Sequence, residues 1–246
     1  MSRRLFDLGN TRLKAAPLEA PGRIGPVLAF GHDGARLAPG WEAALPARIG
    51  SAAVASVVST PLRTSLLDAL AARCGRISVA RTLPRCDGMR MAYAHPQRLG
   101  VDRFLALLGA YARGDGPWLL VGVGTALTVD LLDADGLHRG GRIAPSPALM
   151  RQALHARAPH LPPSGGGYVD FAADTADALA SGCEGAALAL VQASRDAAAA
   201  LLGTAPVVLV HGGGGQPLLE RIPQARAAPT LVFEGLARWL EMERSS

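Results

Sequence analysis

Short apolar runs alternate with amphipathic segments along the first half of the chain. Residues 52–58 form a small, β-branched apolar run that is typical of a buried strand. Residues 59–61, Ser-Thr-Pro, give a helix-start signal, and Leu62, Leu66 and Leu70 then recur at helical spacing. Residues 77–79 predict the next strand. The order strand, helix, strand predicts an α/β layer architecture.

The second half repeats this alternation, with longer helices. Residues 118–121 predict a buried strand, and a glycine turn, a returning strand at 127–132 and a hairpin at 133–136 follow. A helix is expected from about residue 148 to 158, and an alanine-rich helical stretch from 174 to 202, broken or bent near Gly182 and Gly185. Strand 206–210 runs into the glycines of 211–215, and the last helix covers about 231–242.

The opening segment, residues 5–14, carries polar groups where an apolar strand would not need them. Asp7 lies within the apolar run of Leu5, Phe6 and Leu8, and a buried carboxylate needs a partner or an ion. The turn Gly9-Asn10-Thr11 offers backbone amides, which suit phosphate oxygens. Lys14, which is the only lysine of the chain, can add a positive charge there. A plain β-hairpin is the alternative interpretation of the same residues.

A second strand and turn resemble the first, half a chain later. Residues 122–126, Gly-Val-Gly-Thr-Ala, have the same layout as residues 7–11, and residues 113–117 are the best candidate boundary. The repeat predicts two similar domains, 1–115 and 116–246, whose two turns clasp one ligand between them.

Composition narrows the class of protein. Apolar residues make up 49% of the 246 residues, which is enough for a substantial core, and no apolar run approaches the length of a membrane span. The basic start is interrupted at once by Asp7 and Gly9, unlike a signal peptide. Three widely separated cysteines argue against a zinc site or a disulfide framework and for a cytoplasmic protein.

The net charge of +5 and the pI of about 9.7 raise the question of an anionic partner. The arginines are dispersed, however, and few aromatic residues lie between them. This distribution is typical of a solvated surface and argues against nucleic acid as a partner.

Asp102 lies at the predicted start of the helix that carries Phe104, Leu107 and Leu108. An aspartate there commonly caps the helix, because the free amides and the helix dipole stabilise its charge. Gly100, two residues earlier, would also let a ligand approach the backbone, which favours a functional role.

Taken together, these segments resemble the type III pantothenate kinases, which belong to the acetate and sugar kinase, Hsp70 and actin superfamily. The matching segments occur in the family's order and cover nearly the whole chain; they are residues 7–14, 99–103, 124–128, 140–145, 174–182 and the glycines after Val210. The resemblance implies an α/β fold of two similar ribonuclease H-like domains, as in the actin-like ATPases, facing a central cleft. It also implies transfer of the γ-phosphoryl group of ATP to pantothenate, the first step of coenzyme A biosynthesis.

The resemblance further implies a role for each matching residue. Asp102 corresponds to the general base. The ATP-binding residues are implied to be Asp7, Leu8, Gly9, Asn10, Thr11, Arg12, Leu13, Lys14 and Thr125, and Asp7 is implied to help position magnesium. The pantothenate site is implied to contain Tyr93, Gly100, Val101, Asp102, Arg103 and Thr175. In the family the site is completed across a homodimer, so Thr175 is expected to serve the neighbouring subunit.

Two positions depart from the family's pattern. Gly122 stands where the family usually has an aspartate, and the family binds a monovalent cation such as potassium or ammonium. We therefore expect an altered or absent potassium site and assign no residue to it. Asp174 replaces a frequent asparagine and adds a charge near the substrate loop.

Two other functions remain open on the sequence alone. One is a catalytically weak relative that acts as an accessory factor for transcription, which the loss of an aspartate at Gly122 would favour. The other is an ATPase or sugar kinase of the same superfamily. The intact Asp7, Lys14, Asp102 and Arg103 favour an active pantothenate kinase.

Overall fold

The computed structural model describes residues 2–245, and the strand, helix and strand predicted over residues 52–79 are present. The strands are β1 (Arg3–Leu8), β2 (Arg12–Ala20), β3 (Arg23–Ile24), β4 (Leu28–Gly31), β5 (Ser51–Ser56), β6 (Ile77–Val79), β7 (Arg85–Cys86), β8 (Met89–Arg90), β9 (Trp118–Val123), β10 (Ala126–Leu132), β11 (His138–Pro145), β12 (Val207–His211) and β13 (Arg226–Ala227). The α-helices are α1 (Thr60–Ala71), α2 (Val101–Ala112), α3 (Pro147–Arg157), α4 (Thr175–Leu202), α5 (Gln216–Arg221) and α6 (Leu231–Ser245).

The chain forms two compact units. The first contains the residues up to Gly114 together with the segment from Thr230, and the second is Asp115–Pro229. The division after Gly114 lies beside the predicted boundary. The segment from Thr230, which the sequence-based division assigned to the second domain, lies in the first unit instead.

In the first unit, a mixed sheet with strand order β3-β2-β1-β5-β6 is extended by β4, which pairs with β2. Strands β1 and β2 are antiparallel, whereas β1, β5 and β6 are parallel. Phe6, Leu8 and Val54 lie in a core cluster that Leu62 and Leu66 of α1 complete. The leucines are buried because their helical spacing places them on one face of α1.

Helix α6 belongs to the first unit because it packs closely against α2. A Cβ at Gly109 would lie 2.5 Å from the Leu231 carbonyl oxygen, and one at Gly235 would overlap the Leu105 carbonyl. The missing side chains therefore allow the two helices to touch backbone to backbone. Arg113 reinforces the contact by donating to both carboxylate oxygens of Glu234, each at 2.7 Å.

In the second unit, a five-stranded sheet has the order β11-β10-β9-β12-β13. Strands β9, β10 and β11 form an antiparallel meander, and β12 and β13 add parallel to β9. Leu119, Val121, Val208 and Val210 form the centre of its core, against α4. Both units therefore begin their sheet in the same way. The first strand of a hairpin, β1 in the first unit and β9 in the second, also pairs in parallel with a later strand.

The sequence predicts that the alanine-rich stretch is broken or bent near Gly182 and Gly185, but it is one continuous helix, so a break there is wrong. Glycine costs a helix only about 1 kcal/mol relative to alanine. The buried face of α4 outweighs this cost, because residues such as Ala180, Cys183 and Ala187 are packed at helical spacing.

Among the described residues, no helix has the length and apolarity that crossing a membrane requires.

Candidate active site

The turn between β1 and β2 presents its polar tip from a rigid hairpin. Leu8 and Leu13 are opposite each other and fully buried, which anchors both strands in the core. The Gly9 amide donates to the Arg12 carbonyl at 3.1 Å and closes the turn, while Asn10 and Thr11 are exposed at its tip. Of the predicted ATP-binding residues, Leu8 and Leu13 therefore anchor the turn, whereas Asn10, Thr11 and Arg12 face outward.

Three charged side chains of the first unit share one electrostatic environment. Asp7 lies opposite Lys14 in the strand register and is only 8% exposed. Burial raises the pKa of Asp7 to about 6, the charge of Lys14 opposes this rise, and the nearby Asp102 carboxylate adds to it. The structure thus brings Asp102, which is distant in the sequence, close to the Asp7 and Lys14 pair of the first hairpin.

The start of α2 positions Asp102. Gly100 is the N-cap residue, and the Asp102 carboxylate accepts the Arg103 amide at 2.8 Å. A Cβ at Gly100 would lie 2.6 Å from Asp102 Oδ1, so only glycine leaves room for this orientation of the carboxylate. The Thr82 hydroxyl donates to the Leu99 carbonyl at 2.9 Å and holds the segment that enters the helix.

Arg103 and Tyr93 form a second polar pair beside Asp102. Arg103 is only 7% exposed, and its Nη1 lies 3.4 Å from the Tyr93 hydroxyl. The guanidinium carbon is 6.0 Å from the centre of the Tyr93 ring, at the outer range of a cation–π contact. A nearly buried guanidinium is suited to bind a carboxylate through two parallel hydrogen bonds. Val101, between Gly100 and Asp102, is buried and fixes the first turn of the helix.

In the second unit, Thr125 is exposed in the turn between β9 and β10. The Gly124 amide donates to the Ala126 carbonyl at 2.9 Å, and the Ser146 amide donates to the Thr125 carbonyl at 3.4 Å. Ser146 also caps α3, because its hydroxyl accepts the Leu149 amide. The Thr125 backbone is therefore tied to the start of a helix.

The glycine loop after β12 packs directly on the same turn. The Gly214 amide donates to the Val123 carbonyl at 3.0 Å. Gly212 has a φ of +91°, and a Cβ there would overlap the same carbonyl. These glycines are required because the two backbones approach so closely. The sequence pattern alone does not distinguish this role from that of a loop that makes room for a nucleotide.

Thr175 is the first residue of α4 and is exposed in the second unit. Its neighbour Asp174 caps the helix by accepting the amides of Ala176 at 2.9 Å and Asp177 at 3.1 Å. The amide of Asp177, foremost, holds the pKa of Asp174 below its usual value. Asp174, which stands where the family frequently has asparagine, thus stabilises the start of the helix that carries Thr175.

The position of the missing aspartate, Gly122, has little space for a side chain. It lies between Thr128 of β10 and His211 of β12 in the strand register. A Cβ there would lie 2.6 Å from Thr128 Oγ1 and 2.9 Å from His211 Nε2. The residues around Gly122 therefore do not fit the carboxylate that a cation site of the family's kind would use.

Within residues 2–245, no group of three or more His, Cys, Asp or Glu side chains is arranged to hold a metal ion. A magnesium ion that arrives with a nucleotide needs only one or two carboxylates, since the phosphates and water supply its other ligands. Asp7 fits that requirement, because it is a carboxylate near the end of β1, beside the turn of residues 9–12, which we call the phosphate turn after its predicted role.

One residue that contacts the phosphate turn, His32, is not among the site residues that the sequence singles out. His32 Nε2 lies 2.8 Å from the Gly9 carbonyl oxygen, 23 residues away in the chain. The segment around His32 predicts only a turn. Only the pairing of β2 with β4 brings it to the phosphate turn.

Comparison with known proteins shows the family to which the chain is similar. The family model for type III pantothenate kinases matches residues 5–196. A type III pantothenate kinase of Stenotrophomonas maltophilia strain K279a is 54% identical over 239 residues, which is 97% of each chain. One from Xanthomonas campestris pv. campestris strain B100 is 54% identical over 240 residues, again 97% of each chain.

Solved structures share the fold at low identity. A Campylobacter jejuni protein assigned to the Baf family of transcriptional activators has a TM-score of 0.66 and 19% identity, covering 99% of this chain and 100% of that one. The activator of 2-hydroxyisocaproyl-CoA dehydratase from Clostridium difficile, with bound ADPNP, has a TM-score of 0.56 and 11% identity, covering 100% of this chain and 98% of that one. The predicted α/β fold of the actin-like ATPase class is confirmed.

Proposed function

The chain belongs to the type III pantothenate kinases, which phosphorylate pantothenate with ATP at the start of coenzyme A biosynthesis, and we propose which of its residues carry out each step. The observation that carries the assignment is the grouping of Asp7, Lys14 and Asp102 at the ends of β1, β2 and the start of α2. Phosphoryl transfer depends mainly on positioning and on charge neutralisation, and these three groups supply both.

Asp102 is the general base. Its carboxylate is oriented by the Arg103 amide and by the space above Gly100, so one oxygen can accept the proton of the pantothenate hydroxyl. The hydroxyl oxygen then attacks the γ-phosphorus as the bond to the β–γ bridging oxygen breaks. Arg103 binds the carboxylate of pantothenate, and Tyr93, Gly100 and Val101 line the same site.

The turn of residues 9–12 and Lys14 bind the phosphates of ATP, and Thr125 is the further residue that we assign to ATP binding. When bound with ATP, magnesium supplies charge neutralisation on the phosphates, and Asp7 is the carboxylate placed to hold it. Asp7 must then be ionised, which its environment disfavours below a pH of about 6.

We also propose that this kinase has no potassium site of the family's usual kind. The support is the crowding around Gly122, where Thr128 and His211 leave no room for a carboxylate. No step of the reaction is assigned to a monovalent cation.

A homodimer is proposed to complete the site. An apolar groove of about 780 Å³ lies between α3 and α4 of the second unit; it is lined by Leu149, Met150, Ala153, Leu154, Leu179 and Cys183. Leu154 is 44% exposed, and Phe171, which precedes α4, is 99% exposed. A second copy of the chain seated on this groove would bury Leu154, and Phe171 is a further exposed apolar residue four positions before Thr175. Light scattering on wild type and Leu154→Glu tests this, and a monomeric wild type would exclude it.

A cytoplasmic location is proposed because the reaction consumes ATP and because Cys74, Cys86 and Cys183 are free thiols.

The decisive experiment measures ATP-dependent phosphorylation of pantothenate by wild type and by Asp102→Asn. The variant keeps the shape of the side chain but loses the base, so kcat is expected to fall by about 10²–10⁴-fold while ATP affinity is kept. A folded wild type that binds ATP without turnover would contradict the kinase assignment and favour the accessory-factor function. A fully active Asp102→Asn would contradict the role of the base alone.

A further inference from the structure

His32 lies at the base of the phosphate turn, outside the set of residues that the proposed reaction uses. It follows β4, whose last residue Gly31 pairs with Arg12 at the start of β2. His32 is half-buried, and its ring reaches back to the Gly9 carbonyl oxygen, with Nε2 at 2.8 Å.

The two ring nitrogens of His32 have fixed and different roles. The Gly9 carbonyl can only accept, so Nε2 carries the hydrogen and donates to it. The Gly34 amide can only donate, and its nitrogen lies 3.2 Å from Nδ1, so Nδ1 accepts. The neutral ring with its hydrogen on Nε2 is the form that satisfies both contacts.

The loop that carries His32 is itself held in place. Asp33 Oδ1 accepts the amides of Ala35 at 2.8 Å and Arg36 at 2.6 Å. The Ala38 amide donates to the Gly31 carbonyl at 2.9 Å, and His32 pairs with Leu37 across the loop. The ring is therefore presented from a closed loop, which limits the entropy that the contact with Gly9 must overcome.

Both backbone groups of Gly9 are thereby fixed. Its amide donates to the Arg12 carbonyl and its carbonyl accepts from His32. These bonds set the orientation of the peptide plane between Gly9 and Asn10, and with it the direction of the Asn10 amide. A turn whose amides bind phosphate needs that direction to be correct before the ligand arrives.

We propose that His32 is a positioning residue for nucleotide binding, which acts by holding the Gly9 carbonyl so that the turn of residues 9–12 is preorganised for the phosphates of ATP. This proposal rests on the proposed function only in taking ATP as the nucleotide that the turn binds. It assigns no proton transfer to the ring.

Two substitutions separate the contacts of the ring. In His32→Gln the side-chain amide reaches the position of Nε2 and can still donate to Gly9. In His32→Asn the amide reaches only the position of Nδ1, so the bond to Gly9 is lost while the side chain stays polar. His160→Asn, at an exposed histidine of the second unit, is the matched control.

The experiment titrates each full-length variant with MgATP by calorimetry, measures hydrogen exchange of the amides of residues 9–12, and records KM for ATP and pantothenate. His32→Asn is expected to weaken ATP binding and raise KM for ATP about fivefold to tenfold, as expected for one hydrogen bond. Exchange in the turn should be faster in this variant, and KM for pantothenate should not change. His32→Gln and His160→Asn should remain within about twofold of wild type.

Equal loss in His32→Gln and His32→Asn would overturn the proposal, because the donor at the Nε2 position would then not matter. Unchanged binding and exchange in His32→Asn would overturn it as well. If wild type itself showed no turnover with pantothenate, the proposed function would fail, whereas binding and exchange would still decide the role of His32.

Discussion

The two strand–turn–strand hairpins, β1–β2 in the first unit and β9–β10 in the second, have similar sequences but different polar chemistry. In β1–β2, the strand register places the Asp7 carboxylate opposite the Lys14 ammonium. In β9–β10, the corresponding pair is Gly122 and Thr128, and neither of these two residues is ionisable. The first hairpin can therefore neutralise phosphate and metal charge, whereas the second offers a hydroxyl and backbone groups.

The hairpins also differ in what holds their turns. The first turn is one residue longer, since Gly9 bonds to Arg12 whereas Gly124 bonds to Ala126. A histidine side chain supports the first, and the backbone of the glycine loop at Gly214 supports the second. A longer turn has more freedom, so it has more need of a side-chain support. Similar hairpins thus serve charge in one unit and close backbone packing in the other.

The largest expected effect is that of removing the positive charge from the first hairpin, compared with removing a hydroxyl from the second. Lys14→Met should lower kcat/KM for ATP by about 10²–10³-fold, because a cation that stabilises transferring phosphate charge is lost. Thr128→Val, at the corresponding strand position of the second hairpin, should cost no more than about 1 kcal/mol of transition-state stabilisation. Steady-state kinetics at saturating pantothenate measure both. A similar loss in the two variants would remove the functional distinction between the hairpins.

The next effect concerns the buried carboxylate. The folded-state pKa of Asp7, about 6, lies above the 3.8 that is ordinary for an aspartate, so the folded state binds the proton more tightly. Burying the ionised group therefore destabilises the fold as pH rises from about 4 through 6, by roughly 3 kcal/mol for a difference of about two pKa units. Asp7→Asn should thus raise the free energy of unfolding at about pH 8 by roughly 1–3 kcal/mol while impairing catalysis.

Urea denaturation of wild type and Asp7→Asn at about pH 4 and pH 8 measures this difference. The gain of the variant should be present at the higher pH and vanish at the lower one. A variant that is less stable than wild type at both values would show that the Asp7–Lys14 pair contributes more than the burial of the carboxylate costs.

A smaller effect tests the space at Gly122. Gly122→Ala should destabilise the protein by about 1–3 kcal/mol, since the added Cβ would displace Thr128 and His211. Gly31→Ala is the matched control, because a Cβ at this strand glycine of the first unit meets no atom within 4 Å. Thermal or urea unfolding compares the two. A fully stable Gly122→Ala would show that the second hairpin can accept a side chain after all.

The smallest expected effect is that of the monovalent cation on activity. Replacing potassium by sodium at constant ionic strength should change kcat/KM by no more than about twofold, the size of a general salt effect. The reason is that Gly122 offers no carboxylate, and its neighbours leave no room for one. A steep potassium requirement would mean that backbone carbonyls of the second hairpin bind the cation.

Much of the fold and the site is predictable because its signals are local. The β1–β2 hairpin, the start of α2 at Gly100 and the glycine loop after β12 each depend on neighbouring residues, and the structure has all three where the sequence predicts them. Helix α4 was predicted to break because glycine is a poor helix former, but burial of one face decides otherwise.

The features that the sequence does not predict depend on distant contacts. The bond from His32 to Gly9 requires the pairing of β2 with β4, and the packing of α6 requires contacts of Gly235 with Leu105. The raised pKa of Asp7 depends chiefly on burial and also on Asp102, both of which are produced only by the fold. No local pattern of apolar or turn residues specifies such pairs.

The return of α6 to the first unit also affects how the protein is made. Translation delivers α2 early and α6 last, with the whole of Asp115–Pro229 in between. On the ribosome, α2 must therefore wait with an uncovered apolar face while the second unit folds, which is the kind of surface that chaperones bind. We expect nascent chains stalled at residue 229 to protect the second unit from protease while α2, which carries Asp102, is still cleaved. Catalytic competence would then arise only after α6 has been synthesised.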